Sequence, residues 1–248
     1  MSNFVINPYS FVSSSTLTDE LKAYYTFGDS STTQENTASD VGSTDAIASS
    51  DVTLYGNTTY DETGHVSGVN AIGFPTYNED GNYATSSNSA SDYDFMVTNS
   101  SDTVWTVVFW CKSYHIEHPT DWWGTNGSGS ANDIMFRHHG TSGRFTVWFA
   151  GNEVTSFGQE MKDSDWHFYV LYWDEPNGIV SLQIDDGTPD TVSSITTTNS
   201  SSPPNPIRWG DVSGNEMEGD VQLFCLWNRI LTTDEITDLW NSGAGREI

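Results

Sequence analysis

The chain has 248 residues, with 34 Asp plus Glu against 8 Lys plus Arg and a formal net charge of −26. So acidic a surface repels phosphate backbones and anionic bilayers, which argues against nucleic-acid binding. No apolar run reaches transmembrane length, and 10 Trp, 11 Tyr and 12 Phe favour strands around a large aromatic core.

Residues 1–15 read as an extended arm, "FVINPYSFV" followed by serines. Pro8 biases Asn7 toward extended geometry. Phe4, Val5, Ile6, Tyr9 and Phe11 supply apolar anchors for docking on a neighbouring subunit. The arm has no basic n-region with a long apolar run, so no secretory signal is expected. Residues 16–248 then read as one domain of many short strands. "KAYYTF" comes first, followed by a polar loop at 29–50, then "VTLYG", "AIGF" and "NYATS".

"VWTVVFWCK" is the longest apolar strand candidate, and a Gly-rich loop with Trp122 and Trp123 follows it. "DIMFRH" and "RFTVWFA" come next; in the latter Phe145, Val147 and Phe149 alternate with Arg144, Thr146 and Trp148, the pattern of a half-buried antiparallel strand. "WHFYVLYWDEPNGIVSLQIDDG" reads as a hairpin turned at Pro176-Asn177-Gly178. A second polar loop covers 187–206, and "PIRWG" and "DVQLFCLWN" close the strand set. Cys111 and Cys225 both lie in apolar runs and are expected as buried free thiols, a single bridge being the alternative.

The last element is a short helix. Thr232 and Glu235 have capping-box spacing, and Asp234 sits where the helix dipole favours it. Ile236, Leu239 and Trp240 share one face, which is expected to pack on the sandwich. Gly243 is the expected residue beyond the C-terminus.

Four stretches carry a family resemblance. "LKAYYTFG" resembles the opening strand of laminin-G-like, concanavalin A-like jelly rolls, and "VWTVVFWCKS" resembles their central strand. "DSDWHFYVLYWDEPNGIVSLQIDDG" is similar to a further hairpin of that family. In "MEGDVQLFCLWNRILTTDEITDLWNSGAG", residues Gly219, Val221, Leu226, Trp227, Asn228, Arg229, Leu231, Glu235 and Ile236 fit the family's closing motif. Gln222 stands where the family has an acidic residue. The resemblance spans about residues 21–245 and implies an all-β, antiparallel jelly-roll sandwich with a short C-terminal helix. It does not fix function, since this fold carries lectins, hydrolases, adhesion modules and virion proteins.

Enzyme signatures are absent. The E-x-D-x-x-E strand of related retaining glycosidases, which sets carboxylates on one face, is missing, as are a nucleophile elbow and a P-loop. The chain is therefore expected to be no enzyme, a glycan hydrolase or lyase being the lesser alternative. Tyr114, His118, Asp121, Trp122, Trp123 and Asn126 compose the candidate sugar site: exposed Trp stacks on a sugar ring while polar neighbours bond its hydroxyls; burial of Trp122 and Trp123 in the core or against a neighbouring chain is the equal alternative. Asp80 and Asn82, with Asp211, Asn215 and Glu216, are the candidate Ca²⁺ ligands, acidic turns without metal being the favoured alternative. The start "INPYSF" resembles openings of tailed-phage particle proteins. The expected role is a virion surface protein, made in a host cytoplasm. It would act as capsid decoration or as a fibre or tail adhesin, with other virion proteins and host surface glycans as partners. A stand-alone, extracellular lectin module is the alternative.

Overall fold

The structure, a computed structural model, describes residues 14–48, 50–75, 81–97, 103–125, 134–149, 152–154, 157–161, 163–195, 205–212 and 214–248. After a helical turn, α1 (Ser14–Leu17), come β1 (Leu21–Tyr25), β2 (Thr33–Gln34), β3 (Val52–Tyr55), β4 (Thr59–Thr63), β5 (Asn70–Phe74) and β6 (Tyr83–Ser86). The middle of the chain forms β7 (Val104–Ser113), β8 (Pro119–Gly124), β9 (Ile134–His139), β10 (Phe145–Phe149) and β11 (Asn152–Val154). The remainder forms β12 (His167–Asp174), β13 (Ile179–Ile184), β14 (Asp190–Val192), β15 (Arg208–Gly210), β16 (Gly219–Trp227) and α2 (Thr233–Trp240). The expected hairpin is β12–β13, and Gly178 closes its turn at φ 60°.

Two antiparallel sheets face each other. One runs β14-β13-β12-β7-β16-β5-β4, with β1 also on β16; the other runs β11-β10-β9-β8-β15-β6-β3-β2. The expected jelly-roll sandwich with a single short C-terminal helix is the fold observed.

The first sheet is buried on both faces along β7, β12 and β16. Phe109, Cys111, Tyr169, Leu171, Phe224 and Leu226 enter the core between the sheets. Their sequence neighbours Val108, Trp110, Phe168, Val170, Cys225 and Trp227 enter a second core on the outer face, with Leu17, Leu231 and Leu239. Period-two alternation puts neighbours on opposite faces, so strands apolar throughout need cover on both. Cys111 and Cys225 are both buried and free, one in each core, and the sheet separates them.

α2 supplies part of the outer cover. Thr232 Oγ1 accepts from the Glu235 N–H and the Glu235 carboxylate accepts from the Thr232 N–H, completing the capping box. Trp240 stacks on Trp110 with centroids 5.4 Å apart and rings 13° from parallel. The helix stops earlier than expected: Asn241, not Gly243, is the first left-handed residue, at φ 47°. Asn tolerates that conformation better than most side chains do.

The closing motif gains a physical meaning here. Arg229 donates to both Glu235 carboxylate oxygens, at 2.8 and 2.9 Å, and also to the Thr16 and Asp19 carbonyls. One guanidinium thus ties the chain's start to its last helix. Burial alone would raise the Glu235 carboxyl, but bonds from Arg229 and Thr232 outweigh it and hold the group below the usual range.

Gln222 also has a structural task. It lies at the irregular point of β16, beside Leu223 at φ 51°, where the partner strand changes from β5 to β1. Its oxygen accepts from the His65 and Val66 N–H groups, and its amide nitrogen donates to the Val69 carbonyl at 2.5 Å. An acidic residue accepts but does not donate when ionised. A Cβ on Gly64 would come within 2.1 Å of the Gln222 nitrogen, so only glycine lets the loop approach this closely.

Candidate functional site

The described residues of the candidate sugar site are not gathered around one exposed surface, and its two tryptophans take the core alternative. Trp122 and Trp123 are each 1% exposed and belong to the core between the sheets. Consecutive strand residues normally point to opposite faces, but β8 is bulged between Asp121 and Trp123. A bulge places an extra residue on one strand and re-aims its side chains. Trp122 packs edge-on to Phe145 and Tyr169, and Trp123 edge-on to Trp105 and Phe224.

Asp121 is fully buried. Arg137 Nε reaches it at 2.5 Å and Asn215 Nδ2 at 3.3 Å. It neutralises an arginine and leaves no acceptor facing a ligand ring. Tyr114 is 45% exposed, yet its hydroxyl donates to Asp220. His118 is exposed, with its ring against His115. Asn126 lies outside the described residues, as do the arm residues Phe4, Val5, Ile6, Tyr9 and Phe11.

The candidate calcium ligands are not grouped among the described residues. Asp80 lies outside the described residues. Asn82 is buried, and its Oδ1 accepts from the Asn57 N–H. Asp211 faces Arg208 at 3.0 Å and the Gly214 N–H, Asn215 donates to Asp121, and Glu216 is 2% exposed. Among the described residues no three His, Cys, Asp or Glu side chains are grouped to hold a metal. These acidic turns bond backbone and arginine instead.

A different concavity lies on the outer face, where α2 meets the β12–β13 hairpin. It is a cleft of about 400 Å³. Val170 and Leu231 are its buried floor, with Ile236 beside them. Tyr172 and Trp240, both half-buried, add aromatic surface. Gln183, Asp186, Thr233 and Thr237 bring polar atoms to its margin. Apolar and aromatic area with a few placed polar groups is the composition of a small-ligand site. Each element has a local reason to be there. The capping box begins α2 at Thr233, and the turn before Gly187, whose N–H donates to the Ile184 carbonyl, sets Asp186 at the margin.

A shallower cleft of about 290 Å³ adjoins it across that turn, lined by Glu160, Asp163, His167 and Asp185 among others. His167 lies between two carboxylates: Nδ1 is 2.7 Å from Asp185 and Nε2 is 2.8 Å from Asp163. The Asp185 bond, with help from Asp163 and against burial, pushes the imidazole up to about 9. Asp185 Oδ1 also accepts from the Phe168 N–H, so the imidazolium pins the turn to the start of β12.

Comparison with protein-family models and with curated proteins finds no match. Solved structures do match. The binding domain of botulinum neurotoxin DC in complex with SialylT superposes with a TM-score of 0.65 at 11% identity, over 91% of this chain and 52% of that one. A botulinum neurotoxin type C structure, concerned with interaction with two ganglioside molecules, gives 0.65 at 10% identity over 90% and 51%. Trypanosoma rangeli sialidase with the inhibitor DANA gives 0.63 at 14% identity over 91% and 34%. The chain thus spans about half the length of the toxin domains and a third of the sialidase. At these identities the likeness shows the fold alone.

Proposed function

We propose that this jelly roll is a non-catalytic carbohydrate-binding domain and that the cleft between α2 and the β12–β13 hairpin is its sugar site. The observation that carries the reading is the cleft's composition. Tyr172 and Trp240 offer surface for the apolar face of a sugar ring, and Gln183, Asp186, Thr233 and Thr237 offer partners for its hydroxyls. The matched folds support it, because the toxin structures involve SialylT and gangliosides and the sialidase takes DANA. Glycoside hydrolysis ordinarily needs a facing pair of carboxyl groups. The cleft presents one carboxylate, Asp186, which supports binding without turnover.

A glycan array tests this directly. The whole chain should bind a defined set of glycans, and Tyr172→Ala should remove that binding while leaving the fold intact. Unchanged binding by the variant would refute the assignment.

The finer form of the reading is a particle-surface protein of a tailed phage, as capsid decoration or a fibre or tail adhesin. Its support is the apolar run in residues 1–15, with Phe4, Val5, Ile6, Tyr9 and Phe11 as anchors. Removal of these residues should leave a folded domain that no longer joins its assembly. A truncated chain that still assembles would refute it.

A further inference from the structure

Resting on the glycan reading of the α2 cleft, we infer that the cleft selects uncharged glycans and turns sialylated ones away. The charge accounting is local. Asp186 is the only carboxylate lining the cleft, and no Lys or Arg lines it among the described residues. Asp186 is exposed and has no ion-pair partner among the described residues. The cations carried near α2 are engaged. Arg229 forks onto Glu235, and Arg246 Nη1 is 2.7 Å from Asp238.

The adjoining cleft extends the same sign. Glu160, Asp163 and Asp185 line it. Its imidazole, His167, is held between Asp163 and Asp185, and Arg144 faces Glu160 at 3.5 Å. A ligand reaching across the turn from one cleft to the other meets carboxylates on both sides of Gly187, which lines both.

A sialic acid carboxylate is recognised through cationic or N–H donors, most specifically a forked guanidinium. Among the described residues this cleft presents no guanidinium or ammonium, and its Gln183 amide already donates to the Asp185 carbonyl; a carboxylate brought beside Asp186 is repelled by it. Sugar hydroxyls suit the same surroundings. They donate to Asp186 and exchange hydrogen bonds with Thr233 and Thr237, and they bring no charge of their own to desolvate. The cleft therefore departs in ligand class from the toxin domain solved with SialylT.

The test uses an array of matched glycan pairs, with and without terminal sialic acid, probed with the whole chain at low and at high salt. The uncharged member of each bound pair should bind about tenfold or more tightly than its sialylated partner at low salt. High salt and Asp186→Asn should both narrow that ratio. Sialylated members binding as tightly as uncharged ones at low salt would overturn the inference while leaving the cleft as a sugar site. Absence of binding to every glycan would overturn the underlying reading and the inference with it.

Discussion

Two tryptophan-bearing regions behave in opposite ways. Trp122 and Trp123 sit in a polar, Gly-rich stretch and yet are buried, because the β8 bulge turns both into the core. Trp240 sits on an amphipathic helix and yet stays half-exposed, because it lies where the helix and the hairpin leave a cleft. Surroundings along the chain therefore mislead about aromatic exposure, and the cover supplied by distant elements decides it.

The largest effect that separates the two regions is on stability. Trp123→Ala should cost about 3–5 kcal/mol, the range for truncating a buried aromatic, and Tyr172→Ala about 1 kcal/mol or less, as for a surface substitution. Urea unfolding of both variants checks this. Equal costs would erase the distinction between core and cleft.

The clasp that positions α2 comes next. Arg229→Ala leaves the buried Glu235 carboxylate without its fork and frees the backbone at Thr16 and Asp19. A loss of roughly 2–4 kcal/mol is expected from removing one partner of a largely buried pair. Because the Glu235 carboxyl is held below its ordinary range, its contribution is present above that range and disappears as pH falls through the folded value. Wild type should therefore lose more stability on acidification than the variant, as thermal melts across acidic pH will show.

Gln222→Glu should cost about 1–3 kcal/mol, since an ionised carboxylate cannot donate to the Val69 carbonyl and the Gln222 position is fully buried. A variant as stable as wild type in urea would show that the donor end of Gln222 contributes nothing.

A comparable effect, confined to alkaline pH, concerns the turn beside the cleft. His167 is raised from 6.5 to about 9, so its stabilisation is fully present below pH 6.5 and is lost as pH rises through about 9. The loss should be roughly 2 kcal/mol after allowance for the exposed Asp163 side. His167→Gln should flatten that alkaline slope. If the slope is unchanged in the variant, His167 is not its source.

Much of the fold was legible before the structure. Alternation in "RFTVWFA", the Pro176–Gly178 turn and the T-x-x-E capping box each report local geometry, and local geometry is what short sequence spacing encodes. Cys111 and Cys225 were readable as buried thiols from their apolar runs. The site was not legible in the same way. A bulge leaves no mark in spacing, so exposed and core readings of Trp122 and Trp123 stand side by side. Asp211 and Asn215 stand as candidate ligands beside the metal-free reading because a sequence does not show that Arg208 and Asp121 take up their polar atoms. The α2 cleft joins Tyr172 and Gln183 to Leu231 and Trp240, and only the packing of α2 on the sheet brings these distant segments together.

The most direct measurement is an NMR titration of the isotope-labelled chain with a glycan selected on the array. The Trp240 indole N–H and the Tyr172 ring signals should shift together and saturate, while the Trp122 and Trp123 indoles stay in place. Shifts confined to the Tyr114 and His118 segment, with Trp240 and Tyr172 unmoved, would contradict the assignment of the cleft.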